Sequence, residues 1–364
     1  MGTQMGEFDL IERYFKRPER VAARAQLPAA GLASAAGGSG FSWMPSGSGP
    51  ALGIGDDCAL LQPSSGTQLA ISSDMLVEGR HFLSTVDPAA LGHKALAVNL
   101  SDLAACGAKP LAFTLALALP QADEAWLAPF SRGLLALADE HGCELIGGDT
   151  TRGPLNICIT VFGEVPVVNG KSQALLRSGA RAGDDIYVSG TLGDARLALE
   201  VFRGTVSVPA EVFAQARLRM EQPTPRVALG MALRGIATAA IDVSDGLLGD
   251  LGHILKASRV GATIQTDITT NLIAAYAYYT GARGQFDRVL SEKQRLEYVL
   301  AGGDDYELAF TAPASSHAAV LAAGAQANIR VTRIGQIDAS FGIRLLDAQG
   351  QIQPNGYGSF DHFG

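Results

Sequence analysis

Apolar residues recur at helical spacing over 7–16, giving a short amphipathic helix. The same spacing returns over 88–106, where Leu91, Ala95, Val98 and Leu103 fall close to one face and Pro88 sits near the start. A third helix is expected over 124–141, stopped by Gly142. Between these, strand-like segments are read at 68–72, 112–119, 145–147 and 156–165. A turn-rich connection, 166–183, then separates this half from a second one with the same mixture. There, strands are expected at 185–189, 239–243, 262–267, 307–311 and 329–337. Helices are expected at 193–203, 226–234, 247–258 and 315–323. The pattern predicts an α/β (α+β) fold of two mixed-sheet domains flanked by helices, divided as 1–168 and 169–364. Residues 28–50, rich in Ala, Gly, Ser and Pro, carry no core pattern, and 19–50 reads as a flexible insertion.

Six of the short apolar runs lead into acids, often beside glycine: 53–57, 71–74, 99–102, 146–149, 241–246 and 302–305. Aspartate is a poor strand former, and a lone carboxylate is costly to bury. Carboxylates converging from strand ends make an oxygen-only donor set suited to Mg²⁺ or Mn²⁺. Glycines beside them let a bulky anion approach the backbone. Together these features point to metal-dependent phosphoryl transfer.

Each run also has a plainer reading. Gly53-Ile54-Gly55-Asp56-Asp57 is a metal or phosphate loop, or a turn with solvated acids. Asp102 is a ligand, or an exposed acid on an amphipathic helix. Gly147-Gly148-Asp149-Thr150-Thr151 favours function, since amides and oxygens gather in one loop. Ser244 or Asp245 can cap the helix that starts near Leu247, but capping leaves Asp242 unexplained. Gly302-Gly303-Asp304-Asp305 precedes a strand and is a binding loop or a polar turn.

Composition narrows the classes. A net charge of −8 argues against a general nucleic-acid binder. The longest apolar stretch, near 111–119, is far too short to span a bilayer, and the N-terminus shows no signal peptide. The four cysteines show no C-x-x-C pair and read as buried free thiols of a reducing cytosol. The Walker loop, the kinase H-R-D and D-F-G motifs, zinc-type His/Cys spacing and the G-x-S-x-G elbow are all missing from the sequence.

Taken in order, 53–61, 95–107, 145–154, 241–257 and 302–310 closely resemble the bacterial thiamine-monophosphate kinases, of the aminoimidazole-ribonucleotide-synthetase-like superfamily. The resemblance runs from Gly6 to Phe363. It implies ATP-dependent phosphorylation of thiamine monophosphate to thiamine diphosphate, and a cytoplasmic homodimer joined through the N-terminal domains. By position it implies Mg²⁺ held by Asp57, Asp74, Asp102, Asp149, Asp242 and Asp245, with Ser72 and Ser73 nearby. It implies ATP contacts at Asp57, Gly148, Asp149, Arg177 and Ser244, and thiamine contacts at His81, Asp304 and Tyr357. Asp304 and Tyr357 stand where relatives often have Glu and Trp, changes that keep the charge and the aromatic face. The 19–50 stretch is longer than the usual connection, so nothing carries over there.

Overall fold

The computed structural model describes residues 6–16, 49–274 and 289–358. Most of the 19–50 segment lies outside them. In chain order the first half contains α1 (Glu7–Tyr14), β1 (Gly49–Leu52), β2 (Leu60–Gln62), β3 (Thr67–Val77), α2 (Pro88–Ala105), β4 (Lys109–Leu119), α3 (Glu124–Glu140), β5 (Glu144–Arg152), β6 (Asn156–Val168) and β7 (Lys171–Ser172). Four of its strands form a sheet in the order β3-β6-β4-β5, with β7 added beside β6 and β1-β2 as a separate hairpin.

The second half contains β8 (Asp184–Ser189), α4 (Asp194–Phe202), α5 (Ala210–Glu221), α6 (Val227–Ala232), β9 (Ala239–Val243), α7 (Leu247–Ser258), β10 (Gly261–Gln265) and α8 (Thr266–Thr269). After these come α9 (Glu292–Ala301), β11 (Glu307–Pro313), α10 (His317–Gln326), β12 (Val331–Asp338), β13 (Gly342–Leu346) and β14 (Ile352–Gln353). Its sheet runs β14-β13-β10-β12-β8-β11-β9, mixing parallel and antiparallel pairs. The fold is thus α/β with two mixed sheets flanked by helices, as the pattern predicted. The helices α5 and α9 and the strand β13 were not anticipated. α5 starts directly after Pro209 and is followed by Pro223 and Pro225, and its apolar positions are spread round the helix.

Period-two alternation decides what each strand presents. In the second sheet Ile186, Val188, Ile241, Val243 and Ala309 face one core, which is packed by α4 and α7. Tyr187, Ala240, Leu308 and Phe310 face the other way and join the core of the first half. The helix between these two surfaces is α2. Asp87 caps it, accepting from the Ala89 and Ala90 amides at 2.9 and 3.1 Å, and Pro88 opens it. Gly92 lets it press on α3, because a Cβ there would lie 2.1 Å from the Phe130 carbonyl oxygen.

The spacing of Leu91, Ala95, Val98 and Leu103 suggested a one-sided helix. In fact α2 is buried almost all round, and that includes Lys94, Asn99 and Ser101. A helix covered on every side reads as a core helix. Its polar residues therefore have to find partners, and they find them at the site.

Candidate phosphoryl-transfer site

Alternation places Asp242, flanked by Ile241 and Val243, on the face of β9 that looks toward α2. There the Ser101 hydroxyl donates to its carboxylate at 2.8 Å. Asp102, one residue on, accepts from Ser72 of β3 at 2.5 Å. The Asp74 amide, two residues along β3, donates to the Asn99 side chain at 3.0 Å. Two successive α2 residues, Ser101 and Asp102, together with Asn99, thus gather strands from both sheets. Asp102 is not the exposed acid of an amphipathic face.

These carboxylates feel one another. Burial, and then the Asp102 charge and a hydrogen bond to Asp102, raise Asp74 to about 6. Burial raises Asp102 as well, against the lowering effects of Ser72 and of the Arg177 charge. Burial and then the Asp102 charge push Asp242 to about 8. The Asp245 charge reaches Asp74 too. A cavity of about 350 Å³ opens here, lined by Ser72, Asp102, Arg177 and Asp242 among others.

The turn after β9 is held from inside α7. Asp250 accepts from the Ser244 and Asp245 amides, each at 3.0 Å. Burial lifts Asp250 to about 7, and its amide partners oppose that rise. So the capping expected of Ser244 or Asp245 is not made: the N-cap of α7 is Gly246, with no side-chain cap, and Asp250 instead ties down the turn before it.

The 302–306 loop packs on this turn. The Asp304 amide donates to the Ser244 carbonyl at 2.7 Å and the Tyr306 amide to the Val243 carbonyl at 2.9 Å. Gly303 has φ +72°, and a Cβ there would meet the Ser244 oxygen at 2.7 Å. Asp304 and Tyr306 also have positive φ, 62° and 51°, a conformation costly for side-chain-bearing residues. The anchor of the loop is Glu307. It is fully buried and is held by Arg219, Arg226 and Ser189, with contacts of 2.6 Å from Arg219 Nη2, Arg226 Nε and Ser189 Oγ.

A second group of predicted residues lies elsewhere. Asp57, Gly148 and Asp149 line a cavity of about 610 Å³ with Ile11, Phe15 and Lys16 near α1. Strand register relates the two places. Asp74 pairs with Ile159, Ile159 with Leu115, and Leu115 with Gly148. Three strand spacings separate the ends of that row, about 14 Å. Asp149 is in register with Ala116 and so shares the open face of the sheet. Ser73 lies on that face too, its hydroxyl 3.0 Å from that of Thr160 and donating to the Ile159 carbonyl at 3.2 Å. Its side chain therefore does not join Ser72 and Asp102.

The thiamine-contact set is partly assembled. The Val77 amide donates to His81 Nδ1 at 3.0 Å, and Lys94 donates to Asp304 at 2.6 Å. Tyr357 packs against the second core, where burial and the Glu297 charge raise its phenol.

Oxygen-only donors in mutually repelling, partly buried pairs fit a hard divalent cation. As placed, no group of three or more His, Cys, Asp or Glu among the described residues is close enough to hold a metal ion. The carboxylates reach one another's charge without enclosing a coordination sphere. The four thiols are unpaired, as expected, but only Cys143 is buried; Cys58 is exposed instead of filling the core. Among the described residues, no helix is long and apolar enough to cross a membrane.

Comparison with known proteins places the chain in a family. Residues 55–165 match the AIR synthase related protein, N-terminal domain, and residues 181–347 match its C-terminal domain. The thiamine-monophosphate kinase of Salmonella typhimurium is 42% identical over 98% of each chain, and that of Escherichia coli K12 is 41% identical with the same coverage. The crystal structure of thiamine-monophosphate kinase from Stenotrophomonas maltophilia K279a superposes with a TM-score of 0.75 at 41% identity, covering 92% of this chain and 96% of that one. The AaThiL complex with AMPPCP and TMP superposes at 0.67 with 29% identity, over 85% and 92%. Hydrogenase maturation protein HypE of E. coli, at 20% identity and a TM-score of 0.64, shares the fold. On these likenesses the chain belongs to the thiamine-monophosphate kinase family of AIR-synthase-related enzymes.

Proposed function

We propose that this protein transfers the γ-phosphoryl group of ATP to thiamine monophosphate, forming thiamine diphosphate in the last step of that cofactor's synthesis. The observation that carries the reading is the cluster of Asp74, Asp102 and Asp242, drawn from both sheets onto α2, in a chain of this family. A relative crystallised with AMPPCP and TMP supports the substrate pair.

The acceptor is a phosphate monoester whose second pKa is about 6, so it is largely dianionic at neutral pH. It needs no general base. The barrier lies in bringing two polyanions together, and Mg²⁺ ions, when bound, would supply charge neutralisation and alignment. Asp74, Asp102, Asp242 and Asp245 would hold them at the seam, with Ser72 orienting Asp102. Asp57, Gly148 and Asp149 would serve the donor from the cavity side, with Arg177 and Ser244 at the phosphates. His81, Asp304 and Tyr357 would hold the acceptor. An acceptor oxygen then attacks the γ-phosphorus in line and ADP leaves, with no phosphoenzyme.

Each half has its own main sheet, and only the short β7 (Lys171–Ser172), paired with β6, lies past a division at 168/169; this supports an N-terminal domain for ATP, metal and dimerisation and a C-terminal domain that completes the site. The open face of the first sheet exposes Leu69, Ile71 and Met75. A second copy placed there would make the homodimer and bury that face. A cytoplasmic location fits the unpaired thiols.

A chromatographic assay with ATP, Mg²⁺ and thiamine monophosphate tests the reading, with thiamine in a parallel tube. Thiamine diphosphate formed only from the monophosphate, and abolished by EDTA, is the expected result. Folded protein that binds the Mg²⁺ nucleotide but makes no product would overturn the acceptor assignment. Radiolabelled phosphate trapped on the protein would overturn direct transfer.

A further inference from the structure

Lys94 lies in the middle of α2, and only 3% of its side chain is exposed. Burying an ammonium is costly, and an apolar pair of similar volume is generally as stabilising as a buried ion pair. A lysine in this position therefore calls for an explanation other than stability. Its Nζ donates to Asp304 Oδ2 at 2.6 Å and makes a longer 3.4 Å contact with the carbonyl oxygen of His81. One ammonium thus links two residues placed in the acceptor site, one from each half of the chain.

The surroundings show what the link fixes. Asp304 is a left-handed residue without a glycine's freedom, φ 62°, and is tied through its amide to Ser244. Its carboxylate keeps 36% of its side-chain surface open, so the end that Lys94 does not cover can meet a ligand. Tyr306 is close to the same carboxylate. Burial, and then the charges of Asp304, Asp74 and Asp242, raise its phenol, which also hydrogen-bonds Asp304. Asp304 thus meets both a cation from α2 and a phenol that also feels the carboxylate cluster. Without Lys94 the carboxylate would lose its tie to α2, as would the Gly79–Phe82 turn that carries His81.

We infer that Lys94 is a positioning residue of the acceptor site: it fixes the Asp304 carboxylate and the His81 turn across the seam between the two halves, so that acceptor binding, and not nucleotide binding, depends on it. The inference rests on the acceptor assignment proposed above.

The test is steady-state kinetics of the full chain and of Lys94→Met, Asp304→Asn and the double variant, with thiamine monophosphate and ATP varied separately. Calorimetric titration with thiamine monophosphate and with a non-hydrolysable ATP analogue accompanies it. Lys94→Met keeps the length and packing of the side chain, and the partner it frees is already open to water, so a folded variant is expected. Its KM for thiamine monophosphate should rise roughly tenfold or more, while its KM for ATP stays within about twofold. The losses in the double variant should be less than the sum of the two single losses, since both changes remove the Lys94–Asp304 link. A residue with only a structural role would lower the melting temperature without splitting the two KM values. Lys94→Met with an unchanged acceptor KM, or with equal rises in both, overturns the inference alone. Additive effects of the two single changes do the same. If Lys94→Met does not fold, Asp304→Asn and Lys94→Gln carry the same comparison by calorimetry. Wild-type protein that neither binds nor phosphorylates thiamine monophosphate overturns the acceptor assignment, and this inference with it.

Discussion

The seam beside α2 and the cavity beside α1 both present aspartates, but by opposite means. At the seam, Asp74, Asp102 and Asp242 come from a strand, a helix and a second sheet, and each is at least partly shielded from water. At the cavity, Asp57 and Asp149 stand exposed on a turn and an edge strand. Burial is what perturbs the first group, and exposure leaves the second to act through its backbone and its place beside Gly148. A shielded carboxylate set repels itself and therefore gains most from a cation. An exposed set, already solvated, gains less.

The largest expected effect breaks the seam. Asp242→Asn should lower turnover at least about 100-fold at ordinary Mg²⁺, since an amide cannot replace the charge. The protein should still fold, because Ser101 can hydrogen-bond to the amide oxygen. Wild-type turnover in the folded variant would remove Asp242 from the site.

The second effect is pH dependence. A carboxylate whose pKa is raised on folding stabilises the fold below its unfolded value, and that contribution is lost as pH rises through the folded one. Asp74, raised to about 6, and Asp242, raised to about 8, set a window from about pH 4 to pH 8. Metal-free protein should lose stability across it, and Asp242→Asn should lose less at the upper end. Cation binding needs the ionised forms and releases protons, so at limiting Mg²⁺ activity should climb between about pH 6 and 8. Melting curves and proton release by calorimetry in buffers of differing ionisation heat check both signs. A flat metal-free profile would mean that the seam acids do not interact as the geometry indicates.

A smaller effect separates the cavity from the seam. Asp149→Asn should raise the KM for ATP roughly tenfold and leave the metal-free pH profile unchanged, because Asp149 lies three strands from Asp74. A change in that profile would join the two regions into one electrostatic unit.

The same contrast governs what the sequence could reveal. Gly147-Gly148-Asp149 and Gly53-Ile54-Gly55-Asp56-Asp57 are local signals, because glycine and acid occur together in a few residues. Asp242 was legible from its place inside an apolar run. Lys94, Asn99 and Ser101 were not, because a helix with apolar residues on one face is expected to put such residues in water. Only the arrival of the second sheet against α2 buries them. Asp250 was hidden in the same way: it looks like a helix-surface acid until the turn after β9 folds back over it. Arg219 on α5 and Arg226 carry no local signal, because their partner, Glu307, is more than 80 residues away.

The finest test divides two neighbouring hydroxyls. Ser72 and Ser73 are adjacent and were expected together at the metal, but strand alternation sends them to opposite faces of β3. Ser72 donates to Asp102, while Ser73 stays with Ile159 and Thr160 on the open face. A hydrogen bond to a charged group contributes more than about 1 kcal/mol, so Ser72→Ala should lower kcat/KM by about fivefold or more. Ser73→Ala should change it by less than about twofold, since its partners are neutral and water can replace the hydroxyl. Equal losses would place both side chains on one ligand, against the alternation of β3. A larger loss for Ser73 would move the catalytic centre to the open face, toward Asp149 and the surface proposed for the second copy.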